Sequence, residues 1–133
     1  MGLMFRDCSS LNSVPLFDTR NVTNISEMFY HCTSLVSIPL FDTSNVSYMN
    51  STLRGCTSLT YIPLFDTSNV IAMNYMCQEC YNVEGGALSL YQQASTQTIP
   101  PSRYDWAFKD CGKNTPTGLA ELQQIPRSWG GLG

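Results

Sequence analysis

Two columns of oxygen-bearing side chains recur every 24 residues and are the first candidates for chemistry. They are Asp18, Asp42 and Asp66, and Asn21, Asn45 and Asn69. Stacked carboxylates could hold a cation such as Ca²⁺, which prefers oxygen ligands. The sequence lacks the glycine-rich calcium loop that accompanies such repeats. We therefore expect these side chains to fix chain corners and to cap helices through nearby backbone groups, and we predict no metal site.

The cysteines are the second candidate for chemistry. Four of them stand 24 residues apart: Cys8, Cys32, Cys56 and Cys80. The spacing Cys77-x-x-Cys80 also occurs in zinc and redox sites, but zinc needs two more ligands and the only histidine, His31, lies more than a coil away. Coil spacing alone would allow disulfides. Because inward-facing thiols in a column are typical of a core ladder, we predict reduced, buried cysteines.

Catalytic motifs are missing from the chain. His31 aligns with Gly55 and Glu79, a variable position that we expect to be exposed. The sequence contains no phosphate-binding glycine loop, no nucleophile elbow and no zinc-protease motif. We predict a protein without enzymatic activity and without a cofactor.

A 24-residue repeat must position these columns. The segment from Cys32 to Ser47 returns from Cys56 to Ile71, and it stands earlier from Cys8 to Thr23. A fixed period of this length is typical of stacked coils, none of which can close a core alone. The coil stack, rather than the single coil, is therefore the folding unit.

Each coil contains two apolar patterns. In the first, Leu11-x-x-Val14-Pro15-Leu16 and its repeats match the strand signature of leucine-rich repeats. Alternation predicts Val14 and Leu16 in the core, with Pro15 outward. Three phenylalanines follow, and we expect them to turn into the core at the corner: Phe17, Phe41 and Phe65.

The second pattern predicts a short helix. Val22, Ile25, Met28 and Phe29 fall on one helical face, and the preceding Asp-Thr-x-Asn segment is a helix start signal. The fold class we predict is α/β: a leucine-rich repeat solenoid of strand–corner–helix coils of about 24 residues with a helical C-terminal cap.

The repeat decays after residue 80. We assign residues 1–80 to the coils, with the first coil incomplete, and residues 81–133 to a degenerate coil and a C-terminal cap within the same structural domain. The segment Gly85–Ala94 predicts one helix, and Thr115-Pro116 predicts the start of another. Because the chain opens in the middle of a coil, we expect it to be part of a longer protein.

Composition narrows the classes of partner. Charged residues make up 13% of the chain and the net charge is −3, which argues against nucleic acid and anionic membranes. No apolar run approaches the roughly 20 residues that span a bilayer. The N-terminal residues lack the plan of a signal peptide.

The candidate ligand-binding residues are those that vary at outward positions while the core columns stay constant. Solenoids bind partners through such an open face, and exposed tyrosine suits contacts with proteins or sugars. On the predicted strand face they are Asn12, Ser13, Val36, Ser37, Thr60 and Tyr61. On its flanks they are Arg20, Tyr48 and Tyr75.

The repeat Cys-x-Ser-Leu-x-x-Ile-Pro-Leu-Phe-Asp-Thr-Ser-Asn-Val-x-x-Met, over residues 4–80, resembles the BspA-type leucine-rich repeats of bacterial surface proteins. It is closest to the subgroup built on Phe-Asp-Thr-Ser-Asn-Val-Thr-x-Met, which is abundant in mycoplasmas. The C-terminal part is similar to the ends of members from gut bacteria and their phages. The resemblance implies a surface-displayed adhesion module and brings no catalytic residues. Pro15, Pro39 and Pro63 depart from the subgroup's usual polar residue, so no known ligand can be transferred.

We expect a non-enzymatic recognition module of a bacterial surface protein or a phage tail protein, displayed outside the cell or on the virion. It would bind a host protein or glycan through the strand face, and a homo-oligomer is compatible with the sequence. Two alternatives remain open. One is an intracellular phage-encoded inhibitor of a host factor, which the cysteines favour. The other is a structural spacer.

Overall fold

The computed structural model describes residues 1–133, in which 24-residue coils stack on one another and a C-terminal segment with two helices follows. Regular elements are few: helix α1 spans Ala87–Thr96, helix α2 spans Pro116–Leu122, and one 3-10 helix spans Arg127–Trp129. Of 74 backbone hydrogen bonds, only 8 lie within regular elements. Turns and bonds between coils therefore hold the chain together.

The predicted α/β leucine-rich repeat solenoid is wrong, because the coils contain no sheet and no helix. At the positions where strands were expected, the coils form one isolated parallel bridge, between Tyr61 and Gly85. Val36 donates its backbone N–H to Asn12 at 3.2 Å, and Thr60 donates to Val36 at 3.3 Å. Pro39 then has no N–H to donate, so the ladder cannot continue along the coil.

The predicted repeat helices are runs of tight turns. The Met28 N–H donates to Ile25 of its own coil at 3.1 Å, whereas the next N–H, that of Phe29, donates to Thr52 of the following coil at 2.9 Å. In an α-helix every N–H would bond four residues back. Glu27, the third residue of the turn that Met28 closes, has a φ of 59°, as in a type II turn. Positive φ recurs in this column at Leu3, Ser51, Tyr75 and Trp106.

The leucine after each proline points outward, contrary to the prediction that it lies in the core. The exposed fractions are 67% for Leu16, 58% for Leu40 and 49% for Leu64. The Phe41 N–H donates to the Pro39 carbonyl at 3.0 Å and closes a three-residue turn. The turn directs the side chain of Leu40, its central residue, away from the core. Phe41 and Phe65 are buried as predicted, and Val14 is half-buried.

Polar columns run through the core with their hydrogen bonds satisfied. The Thr19 and Thr43 hydroxyls donate to the backbone carbonyls of Asp42 and Asp66, at 2.7 and 2.8 Å. Both threonines are buried. Since a buried hydroxyl without a partner is destabilising, this column fixes how successive coils stack.

The cysteines are free, and all but Cys8 are buried, which confirms the predicted core ladder. The Cys56 thiol donates to the Phe29 carbonyl at 3.1 Å, and the Cys80 thiol donates to the Leu53 carbonyl at 3.0 Å. These two thiols therefore bond to the backbone of the preceding coil, as does the thiol of Cys32, which donates to the Phe5 carbonyl at 3.0 Å.

Helices α1 and α2 pack together at the end of the stack. Helix α2 begins as predicted, with the Thr115 side chain accepting from the Gly118 N–H at 3.0 Å. Glu121 of α2 accepts from the Leu88 N–H in the first turn of α1 at 2.9 Å, where a carboxylate also complements the helix dipole. The Gln93 amide ties α1 to the Phe65 carbonyl of the stack.

Replacing Gln78 with methionine is expected to raise the free energy of unfolding by about 1 kcal/mol. Gln78 is 5% exposed and its side-chain oxygen has no hydrogen-bond partner. Methionine has a similar shape and needs no partner. Urea unfolding would measure the change, with exposed Gln92→Met as the matched control. Destabilisation by Gln78→Met alone would show that the amide makes contacts that matter.

Candidate functional site

The predicted strand-face residues do come together along the stack. Asn12, Ser13, Val36, Ser37 and Tyr61 are exposed, and Thr60 is half-buried. The bonds that join Asn12, Val36 and Thr60 through their backbones place equivalent positions directly above one another. Tyr61 is 62% exposed and lies against Gly85, where an added Cβ would come within 2.9 Å of the ring. The binding role of these residues stays a prediction.

The exposed leucines extend this surface, and sequence reasoning missed them because alternation placed them inside. We call Leu16, Leu40 and Leu64 the leucine stripe. Leu16 and Leu40 line one shallow cavity of about 400 Å³ together with Asp18 and Asp42. Val36, 49% exposed, lies four residues before Leu40 in the same coil. The surface thus combines a continuous apolar stripe with carboxylates at its border.

Arg20 lies at the carboxylate border of the stripe. Its guanidinium contacts Asp18 at 2.9 Å, and its hydrogen bonds hold the pKa of that carboxyl below its usual range. Asp42 accepts from the side chain and backbone of Ser44, which likewise lowers its pKa. The Asp side chains thus make the corner bonds that the sequence predicted.

The two flanking tyrosines do not join the strand face. Tyr48 is 42% exposed and forms isolated parallel β-bridges with Asn24 of the preceding coil and Ala72 of the following coil. Tyr75 is half-buried, and the Arg54 guanidinium stands 5.4 Å from the centre of its ring. Both belong to the turn side of the coils, so the nine predicted residues divide between separate surfaces.

A second surface groove, at the turn side near the C-terminus, was not predicted. Its cavity measures about 540 Å³, and it is lined by Tyr75, Tyr104, Asp105, Trp106 and Arg127 with two serines. Trp106 is 48% exposed and meets Tyr75 edge-on, with ring centres 6.2 Å apart. The aromatic segment from Tyr104 to Phe108 is the feature of the sequence that could have indicated this groove. Its proximity to Arg127 depends on the final turn of the chain.

His31 and the Cys77–Cys80 pair form no reactive site. The His31 ring is half-buried, stacks on Tyr30 at 4.0 Å and lies 3.6 Å from Asp7. A hydrogen bond to Cys111 and burial raise the pKa of the Cys77 thiol, and burial raises the pKa of the Cys80 thiol, so both carry their protons at neutral pH. A protonated, buried thiol is a poor nucleophile.

Comparison with known proteins gives one family and one distant structure. Residues 1–99 match the family described as "Mycoplasma protein of unknown function, DUF285". No curated protein is significantly similar to the chain. A crystal structure of a leucine rich cell surface protein from Faecalibacterium prausnitzii A2-165 is 22% identical over 77% of this chain, with a TM-score of 0.35. The aligned region spans 37% of that longer protein. Neither α1 nor α2 has the length and apolarity needed to cross a lipid bilayer.

Proposed function

Because the chain belongs to the DUF285 family of mycoplasma proteins, we propose that it is a non-enzymatic recognition module of a surface protein that binds a host surface protein. The leucine stripe carries the proposal. Leucine stands at one position of three successive coils and is exposed in each, and at Leu40 and Leu64 a three-residue backbone turn directs the side chain towards water. Ordered apolar side chains on a surface mark a site that another molecule covers.

The neighbouring residues suit a protein partner. Val36 and Tyr61 add exposed apolar and aromatic area on the predicted strand face, and tyrosine is enriched where interfaces gain most of their binding energy. Asp18 and Asp42 at the border would face cationic side chains of the partner. The likeness of the repeat to BspA-type repeats supports display on the cell surface.

Replacing the three stripe leucines with serine is expected to lower binding to host cells at least about tenfold. The measurement is flow cytometry of fluorescently labelled protein on fixed epithelial cells. A matched control replaces three exposed apolar residues elsewhere with serine: Ile71, Ile99 and Leu132. We expect the control variant to bind like the original protein and both variants to keep its circular dichroism spectrum.

Pretreatment of the cells with trypsin or periodate distinguishes a protein partner from a glycan partner. Trypsin should abolish the part of the binding that the stripe variant loses, and periodate, which oxidises sugars, should leave that part intact. Equal binding by the stripe and control variants would refute the stripe as the binding surface. Binding lost only after periodate would indicate a glycan partner instead.

The intracellular alternative has one observation in its favour. All six cysteines are free, as expected of proteins from a reducing compartment. A single partner captured from bacterial cytosol, without binding to host cells, would support the inhibitor and contradict the surface module.

A further inference from the structure

We propose that the groove between Tyr75, Trp106 and Arg127, hereafter the aromatic groove, binds a carboxylate-bearing pyranose of a glycan. This inference is independent of the leucine stripe, which lies on another side of the coils. The groove forms where the turn column of the third coil, the segment around Tyr104 and the 3-10 helix meet. Its volume of about 540 Å³ accommodates one or two sugar rings.

Flat rings in the groove are held in fixed positions. Tyr104 stacks on the buried Trp129 with ring centres 4.1 Å apart and an angle of 8°. Trp106 meets Tyr75 at 84°, and the Lys109 ammonium lies 3.7 Å from the centre of the Trp106 ring. Lys109 lines a neighbouring cavity and not the aromatic groove, so an indole surface remains available. Aromatic faces cover the apolar C–H side of a pyranose while its hydroxyls keep polar partners.

Polar side chains in the groove can form hydrogen bonds with the hydroxyl groups of a sugar. The Asp105 carboxylate forms no ion pair and can accept from two sugar hydroxyls. Ser102 and Ser128 offer hydroxyls that both donate and accept. A few polar groups beside aromatic walls are the usual composition of a small-ligand site.

The distribution of cations indicates an acidic sugar. Four of the seven basic residues pair with carboxylates: Arg6, Arg20, Arg54 and Lys113. The other three, Arg103, Lys109 and Arg127, form no ion pair, and all lie in the C-terminal part of the chain. Arg127 lines the groove directly. A guanidinium binds a carboxylate through two parallel hydrogen bonds, which explains an unpaired arginine in a chain of net charge −3.

Titration with oligosaccharides tests the proposal. The probes are 3′-sialyllactose, a hexuronic acid trisaccharide and neutral lactose, and the readouts are tryptophan fluorescence and saturation-transfer NMR. We expect at least one acidic probe to bind about tenfold or more tightly than lactose. Whether the sialylated or the uronic probe binds more tightly identifies the source of the carboxylate.

Two variants test the assigned roles. Trp106→Ala should abolish binding and remove the fluorescence response. Arg127→Gln should bring the affinity for the acidic probe down to that for lactose, whereas Arg6→Gln, which removes the same charge at a distance, should leave it unchanged. No preference for acidic probes, or equal effects of Arg127→Gln and Arg6→Gln, would overturn the proposal. The cell-binding result with the stripe variant would be unaffected by either outcome.

Discussion

Replacing Phe65 with alanine is expected to lower the free energy of unfolding by about 3–5 kcal/mol, whereas replacing its neighbour Leu64 should change it by less than about 0.5 kcal/mol. Phe65 is 1% exposed and Leu64 is 49% exposed. The three-residue turn from Pro63 to Phe65, closed by a 2.9 Å hydrogen bond, is what separates their environments. Truncating Phe65 leaves a cavity between coils, and truncating Leu64 removes a side chain already in contact with water.

Urea unfolding followed by circular dichroism would measure both variants. Phe41→Ala and Leu40→Ala repeat the comparison one coil earlier, where the exposed fractions are 6% and 58%. Equal destabilisation by the leucine and the phenylalanine variants would contradict the turn and indicate that the leucine is buried as well.

The protein is expected to lose stability steeply above about pH 9, because its buried thiols resist ionisation. In the unfolded chain a thiol loses its proton near its ordinary pKa of 9.0, whereas burial raises the pKa to about 11 at Cys32 and about 12 at Cys56. Below pH 9 both states keep the proton and the full stability is present. Between pH 9 and these raised values only the unfolded state loses it, so each such thiol lowers stability by up to about 1.4 kcal/mol per pH unit.

Urea midpoints at pH 7, 9, 10 and 11 would show this decline. Cys56→Ala is the matched variant, and it should be less stable at pH 7 because of the cavity that the substitution leaves. Above pH 9 its stability should fall less steeply with pH than that of the original protein, because it has one buried thiol fewer. All other ionisable groups are common to both proteins and cancel in the comparison. Parallel curves would show that the Cys56 thiol does not titrate differently in the two states.

Much of the core could be predicted from periodicity. Residues that recur every 24 positions must occupy the same place in each coil, so Cys56 and Phe65 could be placed inside from spacing and apolar character alone. Free, buried thiols and the start of α2 at Pro116 followed from equally local signals. The outward positions Asn12, Val36 and Tyr61 were identified by the same reasoning.

The local conformation of the coils could not be predicted in this way. Apolar residues at Ile25, Met28 and Phe29 face inward whether the chain forms a helix or a run of turns, so the pattern could not decide between them. The decision depends on partners in the next coil. Alternate N–H groups bond to carbonyls such as those of Tyr48 and Thr52, and these bonds exclude the helix.

Sequence therefore determined the repeat, the identity of its buried columns and the candidate strand face, because each depends on side-chain character at a fixed spacing. Tertiary structure decided three other features: turns in place of helices, leucines facing water, and the meeting of Trp106 with Arg127. The turns depend on bonds such as Ile25 to Tyr48, which join residues 23 positions apart, and the groove depends on packing between distant parts of the chain. The outward leucines depend on a backbone turn from Pro39 to Phe41 and from Pro63 to Phe65. None of these contacts leaves a mark on apolar periodicity, because periodicity records side-chain character and not the partner of a backbone N–H.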